Sequence, residues 1–330
     1  MTKQYNHKDF PMWTDAELSL FPLRGKTVAV LGYGNQGRPQ ALNLRDSGIA
    51  TVVGTRDAAG VAAHRAREEG FSVMPFAAAV RQADVCMLLL PDNAIGPVVQ
   101  ELGDLLPGKA CGVAHGLSLV AGWARFPTET DVFLVAPKAQ GQGVRDRYVE
   151  GRGVPALLAV HHDASGNCLA VAQAYAKAIG CGRAGVFPTT AREETECDLF
   201  SEQAVLCGGL TALIKAAFEV LVEAGYNPQV AAFECLYEVK LLADLLQARG
   251  ITGMRQAISP AAAFGDVTRG PRIIDERVKA SMREVLGEIR SGQFAQELAE
   301  DAALGHPRLL AGIEADRRHT LETTYRDSFA

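Results

Sequence analysis

At 330 residues, 48% of them hydrophobic, the chain is long enough to bury ample core and to divide into about two domains; its seven cysteines, without a Cys-x-x-Cys pair, fit scattered reduced thiols. A net charge of −5 with no basic cluster argues against nucleic acid, whose backbone demands a basic footprint. The polar opening MTKQYNHKDFPMW has no apolar leader and no apolar run approaches the ~18 residues of a membrane span, so a soluble, cytoplasmic protein with no membrane partner is expected.

The first predicted element is an apolar, β-branched strand, Val28 to Leu31, leading into Gly32-Tyr33-Gly34-Asn35-Gln36-Gly37 and then a helical pattern with Ala41, Leu42 and Leu44. Strand, glycine-rich turn and helix together form a dinucleotide fingerprint. Gly32 permits the tight turn, Gly34 lets the backbone approach a pyrophosphate, and Gly37 lets helix and strand pack closely. The helix N-terminus offers free N–H groups to the phosphates. All six residues of the turn are therefore candidate cofactor-binding residues. A second strand, Thr51 to Gly54, ends where the ribose is read, at Thr55, Arg56 and Asp57. Arg56 favours NADPH; Asp57, repelling a 2′-phosphate, favours NADH. The balance leans to NADPH with NADH open.

Further β/α alternation extends the sheet: Val85–Leu90 ending at Pro91-Asp92, Ala110–Ala114 ending at His115-Gly116, Val132–Ala136 ending at Pro137-Lys138, and Ala156–Val160. Ligands of open α/β sheets bind at the carboxyl ends of the strands. Pro91 and Asp92 join the cofactor set on that ground, and His115 and Lys138 project there as candidate catalytic residues. A lone histidine can be a satisfied polar residue and a lone lysine a solvated one, but together after apolar strands they read as site residues.

After about residue 188 strand signals vanish, which divides the chain into an α/β domain at 1–187 and an all-helical domain at 188–330. Thr190 to Gly225, Pro228 to a stop at Gly250, and 272–290 read as long helices. The stretch 204–225 is apolar all round except for the stripe Thr211, Lys215, Glu219 and Glu223, so it needs partners on most sides, as in packing with a second subunit. Gly208-Gly209 marks a close helix crossing or a local kink.

Two acidic pairs stand out in this half: Asp198 with Glu202, and Glu234 with Glu238. Each is spaced i, i+4, about 40° apart on a helix. Glu234 and Glu238 align with Val230, Leu241 and Leu245; Asp198 and Glu202 stack over Leu206 and Leu213. One such pair is usually a solvated surface pair, as Glu219 with Glu223 reads. Two pairs on apolar faces point instead to carboxylates neutralised by metal, because unpaired burial costs several kcal/mol each. All-oxygen donors suit Mg²⁺ or Mn²⁺ more than zinc.

Gly32-Tyr33-Gly34-x-Gln36-Gly37, Ala114-His115-Gly116, Val135-Ala136-Pro137-Lys138, Glu196-x-Asp198-Leu199-Phe200-x-Glu202-Gln203 and Phe233-Glu234-Cys235-Leu236-x-Glu238-x-Lys240 together resemble ketol-acid reductoisomerase in its short, class I form, from about residue 16 to 320. The resemblance implies an N-terminal Rossmann domain followed by an all-helical knotted C-terminal domain, a homodimer or higher oligomer whose active sites combine both subunits, NAD(P)H, and two Mg²⁺ per site. Asp198 then looks like the carboxylate bridging both metals and Glu202 like the ligand of the first. Glu234 and Glu238 resemble the other subunit's contribution to the second. His115 and Lys138 correspond to polar residues near the substrate, and Ser259, with Glu238, to substrate-binding residues. In the family reaction a 2-hydroxy-3-oxo acid of the 2-acetolactate class undergoes alkyl migration and is then reduced by hydride.

The chain also departs from that pattern at Arg38-Pro39-Gln40, where His-Ala-His or His-Ala-Gln is usual, and at Ala139-Gln140-Gly141, where Gly-Pro-Gly is usual. Serines are missing from Asp57-Ala58-Ala59-Gly60-Val61, and the polar stretch after Ser259 becomes Pro260-Ala261-Ala262-Ala263-Phe264. The expected activity is therefore either that of valine and isoleucine synthesis, or that of a diverged homologue acting on another ketol acid, ketone or imine.

Overall fold

The computed structural model describes residues 11–329; positions 1–10 of the polar opening stretch lie outside the described residues. The chain divides into two compact units, the first ending at Thr195 and the second beginning at Glu196. The division lies eight residues beyond the change in sequence texture, because Ala191, Glu194 and Thr195 are buried in the first unit.

Among the described residues the first unit holds one eight-stranded sheet in the order β3-β2-β1-β4-β5-β6-β7-β8. Its strands are β1 (Thr27–Leu31), β2 (Ala50–Thr55), β3 (Ser72–Pro75), β4 (Val85–Leu88), β5 (Ala110–Val113), β6 (Asp131–Pro137), β7 (Ala156–His162) and β8 (Val186–Pro188). Helices α1 (Gly37–Asp46), α2 (Val61–Glu68), α3 (Phe76–Gln82), α4 (Asp92–Leu102), α5 (Leu117–Val120), α6 (Gly141–Val149) and α7 (Cys168–Ala178) connect them. The alternation of β1 supplies both faces of the core. Val28 and Val30 join one buried cluster, Ala29 and Leu31 the other. Strands β1 to β6 run parallel, and the chain reverses its direction of travel across the sheet between β1 and β4, opening a crevice at their carboxyl ends.

Two strands have no counterpart among the predicted elements. Both β3 and β8 are short, and the latter completes its ladder by bridging Trp13. The strand read at 156–160 is present as β7, but it runs antiparallel to β6. The alternation pattern alone would continue the parallel sheet, because apolar runs carry no record of strand direction.

The second unit is helical. It comprises the end of α8 (Ala191–Ser201), α9 (Gly208–Glu223), α10 (Pro228–Ala232), α11 (Val239–Ala257), α12 (Pro260–Ile273), α13 (Glu276–Ser291), α14 (Gln293–Ala303), α15 (Pro307–Arg318) and α16 (Thr320–Phe329). Asn227 caps α10 through Oδ1, which accepts from the Gln229 and Val230 N–H groups, with Pro228 at the first helical position. The stop expected at Gly250 appears as a break within α11, where Gly250 adopts φ 66°. Single π turns interrupt the helices at Glu202–Leu206 and Phe233–Tyr237.

One expectation is corrected here. The apolar faces bearing the acidic pairs are not buried within the chain: Leu206, Leu213, Val230 and Leu241 are each about half exposed, and Glu202, Glu234 and Glu238 are exposed with them. No burial cost therefore falls on these carboxylates inside one chain. A second correction concerns length. The helical run Ala191–Glu223 is, among the described residues, long and apolar enough to cross a membrane by length and composition, although no such run is apparent when the sequence is read for uninterrupted apolar stretches. Its polar stripe is engaged, with Lys215 Nζ on Asp316 at 2.7 Å and His319 Nε2 on Glu219 at 2.8 Å. Ile214 and Phe218 form a small core with Ala231, Ala232 and Leu321.

Candidate active site

The glycine turn follows β1 in the crevice, and its three glycines differ in what surrounds them. Gly32 has φ 96°, and a Cβ there would lie 2.6 Å from the Leu89 carbonyl oxygen. A Cβ on Gly37 would lie 2.0 Å from the Gly32 carbonyl oxygen, whereas one on Gly34 would meet nothing within 4 Å. Gly34 thus leaves an open cradle at the N-terminal end of α1, and a pyrophosphate fits there without displacing protein.

The side chains of the turn face the protein. Tyr33 is buried and its hydroxyl donates to Glu69 Oε2 at 2.5 Å; burial and that hydrogen bond push the phenol above its ordinary range. Gln36 Nε2 donates to the Ala139 carbonyl at 3.1 Å, and Asn35 Oδ1 accepts the Gly141 N–H at 3.2 Å. The unusual Arg38 is engaged by Glu69, donating from Nε and Nη2 to Oε1 at 2.8 and 2.5 Å. Burial pushes the Glu69 carboxyl up, but the Arg38 and Tyr33 hydrogen bonds outweigh it and hold the group below the usual carboxylate range. Beyond β2, Arg56 and Asp57 are exposed, with Asp57 Oδ1 accepting the Ala59 N–H at 2.9 Å. Arg67 Nη1 reaches the same loop, donating to the Ala58 carbonyl at 2.8 Å.

At the ends of β4, β5 and β6 the structure pairs residues that the sequence left separate. His115 Nδ1 lies 3.2 Å from Asp92 Oδ2, so Asp92, at the start of α4 behind Pro91, orients the imidazole. Lys138 Nζ donates to Glu194 Oε1 at 2.9 Å, while Glu194 Oε2 accepts the Gly116 N–H at 3.0 Å. Glu194 is 1% exposed, a buried carboxylate held by one cation and one amide. Gly116 is required for that approach: a Cβ there would lie 2.3 Å from Thr195 Oγ1 and 2.8 Å from the Ala191 carbonyl. Glu194 is absent from the sequence-based candidates. A signal existed, since Glu194, Asp198 and Glu202 repeat at i, i+4 and i+8, one turn upstream of the pair singled out.

In the helical unit Asp198 lies on α8, Glu202 opens the first π turn, Glu234 lies in the second, and Glu238 directly follows it. The widened turns are visible in their hydrogen bonds: Cys207 N–H to the Glu202 carbonyl at 2.9 Å and Glu238 N–H to the Phe233 carbonyl at 3.3 Å, each five residues back. Single π turns within α-helices are frequent at functional sites, where they re-aim side chains. Gly208 and Gly209 are needed where α9 leaves the first π turn, because Cβ atoms there would lie 2.4 and 2.0 Å from the Gln203 and Ala204 carbonyl oxygens. Asp198, Glu202, Glu234 and Glu238 offer only hard oxygen donors, which fits Mg²⁺. Ser259 caps α12, its Oγ accepting the Ala262 N–H at 3.1 Å.

An open glycine cradle at a Rossmann switch point, with an exposed lysine paired to a buried carboxylate at the neighbouring strand ends, defines a nicotinamide-dinucleotide-dependent oxidoreductase with a helical second domain. The family comparisons make this particular. Residues 22–185 match the model of the acetohydroxy acid isomeroreductase NADPH-binding domain, and residues 191–327 match that of the ketol-acid reductoisomerase C-terminal domain. The chain belongs to the ketol-acid reductoisomerase family.

A ketol-acid reductoisomerase (NADP(+)) of Pyrobaculum aerophilum is 50% identical over 313 residues, covering 94% of this chain and 95% of that one. The solved structure of an NADH-preferring ketol-acid reductoisomerase from an uncultured archean is 40% identical with TM-score 0.93, covering 97% of this chain and 99% of that chain. A semialdehyde dehydrogenase NAD-binding protein from Cupriavidus necator, at 19% identity and TM-score 0.62 over 81% of this chain and 99% of its own, shares the fold alone. These findings support the ketol-acid reading and none of them supports the diverged alternative.

Proposed function

We propose that the chain is a Mg²⁺-dependent ketol-acid reductoisomerase that converts a 2-hydroxy-3-oxo acid of the 2-acetolactate class into a 2,3-dihydroxy acid, in valine and isoleucine synthesis. The observation that carries the reading is the Lys138–Glu194 pair, a buried carboxylate under an exposed lysine at the carboxyl ends of β5 and β6 beside the dinucleotide crevice. Alkyl migration requires the 2-hydroxyl proton to be removed while the 3-carbonyl is polarised. Glu194, held by Lys138 and the Gly116 amide, is placed to receive and return that proton, and His115, oriented by Asp92, donates to a substrate oxygen. When bound, two Mg²⁺ ions held by Asp198, Glu202, Glu234 and Glu238 supply Lewis acidity to the two oxygens. A reduced nicotinamide dinucleotide, which the Gly32–Gly37 turn would hold by its phosphates, would supply the hydride. Ser259, free at the start of α12 apart from its cap, serves the substrate carboxylate.

We infer NADPH as the preferred cofactor with NADH accepted. Arg56 and Arg67 bring two cations to the loop after β2, and Asp57 opposes them. A homodimer, or a higher oligomer built from it, covers the apolar faces of α9 and α11 that the single chain leaves exposed. Glu234 and Glu238 then complete the partner's site, and the helices interlock as a knotted domain. On this reading the protein is soluble and cytoplasmic, and the run Ala191–Glu223 faces another subunit. The test is product identification: incubation of the purified protein with 2-acetolactate, NADPH and Mg²⁺ yields 2,3-dihydroxy-3-methylbutanoate by NMR. Recovery of unchanged acetolactate alongside reduction of other carbonyls contradicts it.

A further inference from the structure

The loop that follows Lys138 is joined to the glycine turn through side chains that carry no chemistry themselves. Lys138 is pinned at its own N–H, which donates to the Pro155 carbonyl at 2.8 Å. The next carbonyl, Ala139, accepts from Gln36 Nε2 at 3.1 Å, and the Gly141 N–H at the start of α6 is capped by Asn35 Oδ1 at 3.2 Å. The two segments touch so closely that a Cβ on Gly141 would lie 1.7 Å from the Asn35 carbonyl oxygen. Behind Gln36 stands a directional chain: the Tyr175 hydroxyl donates to Gln40 Oε1 at 2.6 Å, and Gln40 Nε2 donates to Gln36 Oε1 at 3.0 Å. Tyr175 and Gln40 are both 0% exposed, so neither can exchange a partner for water. The chain fixes which end of the Gln36 amide points to Ala139, because Gln40 offers Gln36 a donor and leaves it only its own donor to present.

We propose that Tyr175 and Gln40 are positioning residues: through Gln36 they clasp the Ala139–Gly141 loop to the phosphate-binding turn, so that occupation of the turn by cofactor sets the place of Lys138. The inference rests on the ketol-acid reading for its catalytic arm. Gln40→Met keeps the length of the side chain and removes both polar atoms, leaving Gln36 Oε1 without its buried donor, so that the Gln36 side chain is no longer held against the Ala139 carbonyl. Gln40→His keeps one acceptor for Tyr175 and one donor for Gln36.

The experiment compares amide exchange and steady-state kinetics in wild type, Gln40→Met, Gln40→His and Tyr175→Phe, with NADPH, Mg²⁺ and 2-acetolactate. NADPH slows exchange in a peptide covering 138–144 of the wild type and of Gln40→His. In Gln40→Met that protection is lost while the peptide covering the glycine turn remains protected, kcat falls about tenfold, and KM for NADPH stays within about twofold. Tyr175→Phe lies between. Should Gln40→Met fail to fold, Tyr175→Phe with its ring intact carries the comparison. Wild-type coupling of exchange in a folded Gln40→Met, or equal losses in the Met and His variants, overturns the proposal. A wild type that binds NADPH without turning over acetolactate sinks the activity reading instead, and the exchange arm still decides the clasp.

Discussion

The three glycines of the dinucleotide turn make a paired prediction, because the structure assigns them different tasks. A methyl group on Gly34 meets nothing within 4 Å, and Gly34 does not adopt a positive φ. Gly34→Ala therefore keeps the fold, and its melting temperature stays within ~1 °C of wild type. The methyl occupies the space through which a pyrophosphate reaches the backbone, so the Kd for NADPH rises roughly 10- to 100-fold, or about 1.4–2.7 kcal/mol. Gly37→Ala behaves in the opposite way. Its Cβ would lie 2.0 Å from the Gly32 carbonyl oxygen, backbone against backbone, and relief requires β1 and α1 to move apart by more than an ångström. Overpacking of this kind costs about 3 kcal/mol, which in a unit of this size lowers the melting temperature by roughly 6–12 °C. Thermal melts with and without NADPH, together with fluorescence titration, separate the two. A Gly34→Ala variant that binds NADPH as wild type does, or that melts as early as Gly37→Ala, refutes the assignment of the cradle.

Three further outcomes follow from the same geometry. Glu69 has its folded pKa depressed by Arg38 and Tyr33, so its contribution is present above the ordinary carboxylate value of about 4.3 and is lost as pH falls through the folded value. Glu69→Gln is accordingly less stable than wild type by about 1–2 kcal/mol at pH 7, and pH-dependent denaturation shows the gap closing below about pH 4. Lys138→Met strands the Glu194 carboxylate in a buried site; it loses about 3 kcal/mol in urea unfolding and more than about 100-fold in kcat, and adding Glu194→Gln restores stability without restoring activity. Asp57→Ala removes the carboxylate that opposes a 2′-phosphate, raising the NADPH-to-NADH ratio of kcat/KM about fivefold, as parallel assays with the two cofactors measure.

Much of this architecture was legible because its signals are local. The β1 run, the glycine turn and the strand-end His115 and Lys138 sit where period and punctuation put them, and Gly250 breaks α11 at the expected stop. Strand direction was not legible: β7 is as apolar as its parallel neighbours, and only its pairing with β6 reveals that it is reversed. Glu194 escaped notice because its meaning lies in two partners more than fifty residues away, Lys138 and the Gly116 amide. The departure at Arg38-Pro39-Gln40 looked like altered specificity, yet Arg38 is consumed by Glu69, and Gln40, which fits one of the two usual forms, by Tyr175 and Gln36, so both side chains support the turn from behind. The acidic pairs were visible at i, i+4, but the π turns that carry them were not, since an inserted residue in a helix leaves no periodic mark over so short a span.

The most direct measurement is NADPH oxidation driven by 2-acetolactate, with and without Mg²⁺, in wild type and in Asp198→Asn. Metal-dependent turnover in the wild type, abolished both by chelation and by Asp198→Asn, is the predicted result. Turnover that survives removal of Mg²⁺ or the Asp198→Asn substitution, or acetolactate left untouched under every condition, contradicts the account.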